Sequence, residues 1–231
     1  FGTLVLDGPT VENATEKMSH ALFAIDTREG ATFNVVDGAV LCANATAVRM
    51  GQFGADANEM TVEDGHIYGN RAVQVHLPSS SATVNPVMTL NVQGGVLESN
   101  DETYNIGVYV ISNGQSAENV TVQIGGEAEI KGSVLVNAVA TDTMNDAAVQ
   151  ITGGTIDGIY GVYSYSTDAA KADAVISVTG GAFAVEPNYV DPAYEAKEQD
   201  GKYVVVAKPA VAKIGETGYW CLNAAVAAVE D

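Results

Sequence analysis

Three carboxylates offer the most direct route to chemistry: Asp37, Glu63 and Asp64 recur at the turn of a repeating sequence pattern. On stacked strands about 4.8 Å apart they would cluster. A sugar lyase or glycosidase needs such a group, acting as paired acid and base or with calcium, and Arg49, Arg71 or His66 could supply its base. The later copies of the pattern carry glycine at these positions, and aspartate tolerates a tight turn, so the three serve equally well as turn residues. No catalytic residue is assigned on this basis.

A second set is suited to holding a ligand. Arg49, Gln74, His76, Tyr109, Tyr163 and Tyr165 fall in two neighbouring outward columns, beside a file of small residues that includes Ala47, Ala72, Gly107, Ser133 and Gly161. Planar side chains beside small ones make a shallow groove for a sugar or a protein, although tyrosine is favoured on any sheet surface. Tyr109 and Tyr163 lie two repeats apart, about 10 Å, a span for an extended oligosaccharide or an added peptide strand. His20, His66 and His76 are not spaced as a metal set. No nucleotide fingerprint, zinc spacing, nucleophile elbow or calcium loop is present, so no cofactor is expected.

The element that must position these residues is the repeat itself. Val149-Gln150-Ile151-Thr152-Gly153-Gly154-Thr155-Ile156 alternates, turns on glycine and resumes alternating; the pattern recurs with turns ending at 9, 38, 65, 95, 126, 154 and 181. Alternation of period two with a repeat of 27 to 31 residues predicts stacked strands. The expected fold is all-β: a right-handed parallel β-helix of about seven coils within residues 1–189. Its inward columns are Val11, Val40, Ile67, Leu97, Ala128, Ile156 and Phe183 after the turn, and Phe23, Val48, Val73, Val108, Val134 and Val162 on the second strand. Polar loops at 78–81, 112–116 and 166–168 absorb the variation in coil length. Residues 190–231 predict a β-hairpin around Asp200-Gly201 and a short alanine-rich helix, either a cap on the coil or the start of another module.

Composition narrows the function classes. A formal charge of −19 argues against nucleic acid and anionic lipid as partners, and no apolar run is long enough to insert in a membrane. Cys42 reads as a core residue, and two cysteines leave the redox compartment open. The start at Phe1, already on a repeat strand, reads as a monomeric fragment of a larger chain.

Gly180-Gly181-Ala182-Phe183, Pro187-Asn188-Tyr189-Val190, the Asp200-Gly201 hairpin and Ile214-Gly215 with Tyr219, Leu222 and Ala225-Val226 carry a resemblance. This stretch resembles the β-helical repeat modules of large, adhesin-like cell-surface proteins of gut Firmicutes. The likeness is specific over the C-terminal fifty or so residues and generic elsewhere, and Trp220-Cys221 depart from the small and threonine-like residues usual before that leucine. It implies an extracellular, secreted or wall-attached protein and no particular ligand. The expected role is a non-catalytic segment displaying a binding surface for host or dietary glycan or a host extracellular protein. The alternatives are a polysaccharide lyase or glycoside hydrolase of the pectin-lyase-like type, and an immunoglobulin- or mucin-binding module. The acidic balance favours a neutral glycan or a basic protein patch over an anionic polymer.

Overall fold

The computed structural model describes residues 2–16, 19–28, 30–51, 56–77, 87–112, 119–138, 148–165 and 176–229. The loop stretches expected at 78–81, 113–116 and 166–168 lie outside the described residues, as does the side chain of His20. The inner coils lay strand on three faces because their apolar residues alternate in three runs, interrupted where glycine or a small residue permits a bend.

Among the described residues, seven strands stack in parallel on the first face. They are β1 (Gly2–Leu6), β4 (Ala31–Val35), β6 (Asn58–Val62), β8 (Met88–Val92), β11 (Val120–Ile124) and the leading parts of β14 (Ala148–Ile156) and β16 (Ile176–Phe183). The second face holds β2 (Thr10–Glu12), the first parts of β5 (Ala39–Gly51) and β7 (His66–Leu77), then β9 (Val96–Ser99), β12 (Glu129–Lys131) and the ends of β14 and β16. On the third lie β3 (Ser19–Thr27), the second parts of β5 and β7, then β10 (Ile106–Ser112), β13 (Ser133–Ala138) and β15 (Val162–Ser164). The fold is therefore a parallel β-helix. Its solenoid makes about five turns, slightly fewer than the seven expected. The first and last copies of the repeat are end coils: β1 pairs with β4 alone, and β16 is followed by no third-face strand among the described residues.

Inward positions stack like on like. The second-face column is Val11, Val40, Ile67, Leu97, Ile130, Ile156 and Phe183. Ile130 replaces the expected Ala128 because the fifth turn is longer: Glu127 and Ala128 close it through bonds to the Gln93 and Gly125 carbonyls, and alternation resumes at Glu129. On the third face Val48, Val73, Val108, Val134 and Val162 are fully buried as expected, but their first-coil partner is Ile25, not Phe23. A register shift in β3 between Ser19 and Phe23 moves Phe23 opposite Thr46, where the Arg49 guanidinium lies 4.0 Å from its ring centroid. The small residues Ala47, Ala72 and Gly107 do not floor an external groove. They turn into the bend, and a Cβ on Gly107 would come 2.5 Å from the buried Ile130 Cγ2.

At the far end β17 (Tyr194–Gln199) and β18 (Lys202–Ala207) form the hairpin, with Asp200 and Gly201 at φ 50° and 77°, the positive pair a type I′ turn requires. β18 adds antiparallel to the end of β16, and Val205 joins the core with Tyr189, Val190, Tyr194 and Tyr203 packed against it. The hairpin thereby covers an edge that would otherwise present unpaired backbone groups. Beyond it, β19 (Ala212–Ile214) and β20 (Thr217–Tyr219) pair with each other, followed by α1 (Leu222–Ala227), whose first turn is capped by the Cys221 sulfur. This unit leaves Val211, Leu222 and Val229 more than two-thirds exposed. No helix among the described residues is long and apolar enough to cross a membrane.

Candidate functional site

The outer surface of the third face changes chemistry from coil to coil. One column runs Asp26, Arg49, Gln74, Tyr109, Leu135 and Tyr163; the column before it runs Phe23, Thr46, Arg71, Ile106 and Ser133. Charge lies at the first coils and aromatic surface at the last.

The six expected contact residues share this face but do not form one open strip. Arg49 is committed to Asp26, its Nε and Nη2 donating to the two carboxylate oxygens at 2.8 and 2.6 Å. Burial tends to raise the Asp26 pKa, but bonds and charge from Arg49 and Arg28 outweigh it and hold the carboxyl below its ordinary value. Gln74 is 6% exposed and accepts from the Thr46 hydroxyl. His76 is half-buried, and desolvation, helped by the charge of Arg49, lowers its pKa. Tyr109 is also 6% exposed, its hydroxyl accepting from Asn137 Nδ2 at 2.8 Å and its ring covered by Arg71. Tyr163 and Tyr165 alone of the six are open, at 37% and 47%.

Those two belong to a cleft of about 270 Å³ that also involves Tyr104, Tyr160, Ile106, Leu135 and Ser133. Its shape follows from unequal bends. Residues 100–105 separate β9 from β10 and residues 157–161 separate β14 from β15, whereas only Gly132 separates β12 from β13. The fourth and sixth coils therefore carry projecting turns while the fifth is recessed between them. Asp101 builds the first turn, its Oδ1 accepting from the Thr103 and Tyr104 amides at 2.9 and 3.2 Å. The second is held by Tyr160 N donating to Ser133 Oγ at 3.1 Å and Ile159 N to Asn105 Oδ1 at 3.3 Å. Gly158 lets it lie directly against the recessed coil, since a Cβ there would overlap the Ser133 backbone nitrogen. Ile106 and Leu135, 3% and 5% exposed, form an apolar floor together with Tyr109. The Tyr163 and Tyr165 rings meet edge-on at 5.2 Å and 86°, and Tyr160 lies 6.0 Å from Tyr163. Desolvation first, and then the neighbouring tyrosines, push the Tyr165 phenol up, so that hydroxyl stays neutral and available as donor and acceptor. Tyr104 and Tyr160 escaped sequence reasoning because they sit in bends, not in alternating strands; the signal for them was the difference in bend length.

The carboxylates lie at another corner. Asp37 and Asp64 each accept from the next glycine amide, at 2.6 and 2.7 Å, which commits one oxygen of each to its own turn. Glu63 and Asp64 line a groove of about 870 Å³ with Glu127, Glu129 and amides such as Asn91 and Gln123; neither Asp37 nor any Lys, Arg or His lines it. His66 Nε2 instead contacts Glu98 at 2.9 Å, and Arg49 and Arg71 belong to the third face. Among the described residues no group of His, Cys, Asp and Glu is arranged to hold a metal ion. Comparison with protein-family models, curated proteins and solved structures finds no match.

Proposed function

We propose that the chain is a non-catalytic segment of a bacterial cell-surface protein, and that it displays the tyrosine cleft to a glycan. The observation that carries this reading is the cleft itself: four partly exposed tyrosines around a floor of Ile106 and Leu135. Aromatic rings stack on the C–H faces of sugars while phenol hydroxyls bond to sugar hydroxyls, so a site that is apolar beneath and wet at the rim suits a pyranose ring. A volume near 270 Å³ accommodates about one such ring, with the rest of the oligosaccharide running across the recessed coil. The turn bonds of Asp37 and Asp64, and a groove beside Asp64 lined by no Lys, Arg or His among the described residues, support binding over hydrolysis or elimination.

Saturation-transfer NMR and calorimetry against a panel of neutral and acidic oligosaccharides test the reading. The expected result is millimolar or tighter binding that falls at least tenfold in a Tyr163→Ala/Tyr165→Ala variant whose circular dichroism is unchanged. Absence of sugar binding, or a variant that binds as the parent does, overturns it. Turnover of any panel member that is lost in Asp64→Asn would support the competing lyase or hydrolase reading.

A further inference from the structure

We infer that Arg71 makes the cleft selective for a sugar bearing a carboxylate, such as a hexuronate, over its neutral counterpart; the inference rests on the cleft being a sugar site. Arg71 pairs in register with Ile106, so its backbone lies one strand spacing, about 4.8 Å, from the cleft floor. Its guanidinium carbon sits 4.7 Å from the Tyr109 ring centroid, and that ring packs against Ile106 and Leu135. That contact holds the guanidinium against the ring that packs with the cleft floor.

What marks Arg71 out is a charge held in place without a counter-ion. Arg49, Arg28, Lys197 and Lys202 each make an ion pair, while the Arg71 guanidinium has no ion pair or hydrogen bond among the described residues. Its Nε is buried and unpartnered. A guanidinium with no bonded partner is under-satisfied, and an incoming carboxylate would reduce that deficit by accepting from its terminal N–H groups, since Nε itself is buried. Asp101 is near enough to influence Arg71 electrostatically, yet its Oδ1 is taken by two backbone amides of its own turn. Burial lowers the Arg71 pKa, and a guanidinium keeps its proton regardless.

The net charge of −19 opposes an anionic ligand in general, so the two effects must be weighed. At physiological ionic strength the Debye length is about 8 Å, which screens distant carboxylates but not a contact at hydrogen-bond distance. The local cation decides. A hexuronate carries its carboxylate on the rim of the ring, so a ring stacked on the tyrosines can direct that group toward Arg71 one strand away. An acidic peptide has the charge without a flat ring to occupy the cleft.

The test compares trigalacturonate with its trimethyl ester, which differ in charge and little in shape, by calorimetry on the intact chain at 20 and 150 mM salt. The expected result is at least tenfold tighter binding of the acid, with the preference shrinking at higher salt. Arg71→Met should remove the preference and Arg71→Lys should restore part of it. Equal affinity for acid and ester overturns the role of Arg71 and leaves the sugar cleft standing. Binding of neither overturns the role of Arg71 and leaves the sugar cleft to the wider oligosaccharide panel, whereas tighter binding of an acetylated pentaglutamate peptide overturns both readings, because it would make the site a receptor for acidic peptide. Because the acid and ester comparison uses the unaltered protein, misfolding of a variant does not obscure it.

Discussion

Asn58 has no exposed surface, yet its side chain is satisfied. Nδ2 donates to the Thr27 and Gly51 carbonyls at 3.3 and 3.2 Å, and Oδ1 accepts from the Thr27 hydroxyl at 3.0 Å. Asn58→Ala should lower stability by about 1–3 kcal/mol in urea denaturation, because it strands those partners in the core. His76 gives the protein a titration of its own. Its folded pKa is depressed below the ordinary 6.5, so the unfolded chain takes up a proton first as pH falls. The stability it contributes is present above pH 6.5 and is lost as pH drops through the folded value; the Asp26 contribution follows only below its ordinary 3.8. A His76→Gln variant should accordingly show a flatter Tm between pH 7 and pH 5 than the parent. Side-chain parity made Tyr163 and Tyr165 legible from sequence as outward residues. It could not report that Asp26 would capture Arg49, since the register shift in β3 brings that carboxylate into the Arg49 row in place of Ala24.

At the scale of the strand and its bend, close stacking sets which sequence signals can be trusted. Gly94 lies under the turn of the preceding coil, and a Cβ there would overlap the Glu63 carbonyl oxygen. The atoms it would meet are all backbone, which cannot rotate aside. Gly94→Ala should therefore cost about 1–3 kcal/mol, whereas Gly2→Ala, with nothing within 4 Å of the new methyl, should be nearly silent in the same thermal melt. Strands and turns were readable because alternation and glycine placement are local properties. The bends were not, because the length that matters is measured against the coils above and below. Residues 100–105 mean little alone; opposite the single Gly132 they become the wall of a cleft. The fifth turn shows the same dependence, since Ala128 and Ile130 both fit an inward pattern and only pairing with Leu97 decides for Ile130.

For the whole molecule, 29 acidic side chains against ten basic ones make self-repulsion the dominant long-range term. Raising salt from 0.01 M, where the Debye length is about 30 Å, to 0.15 M, where it is about 8 Å, should raise the Tm. A fall would mean that ion pairs such as Arg49 with Asp26 and Lys202 with Asp157 outweigh the repulsion. The ladder of parallel strands has one more consequence. The backbone hydrogen bonds of the parallel ladder point along the solenoid axis, so tension applied from β1 toward β16 loads one coil boundary after another instead of shearing all of them together. Coils would peel away singly, each releasing 27 to 31 residues of slack, or about 100 Å of extended chain. Under flow the stack would lengthen in steps at nearly constant force, and a ligand held at the fourth to sixth coils would stay gripped until the peeling front arrived.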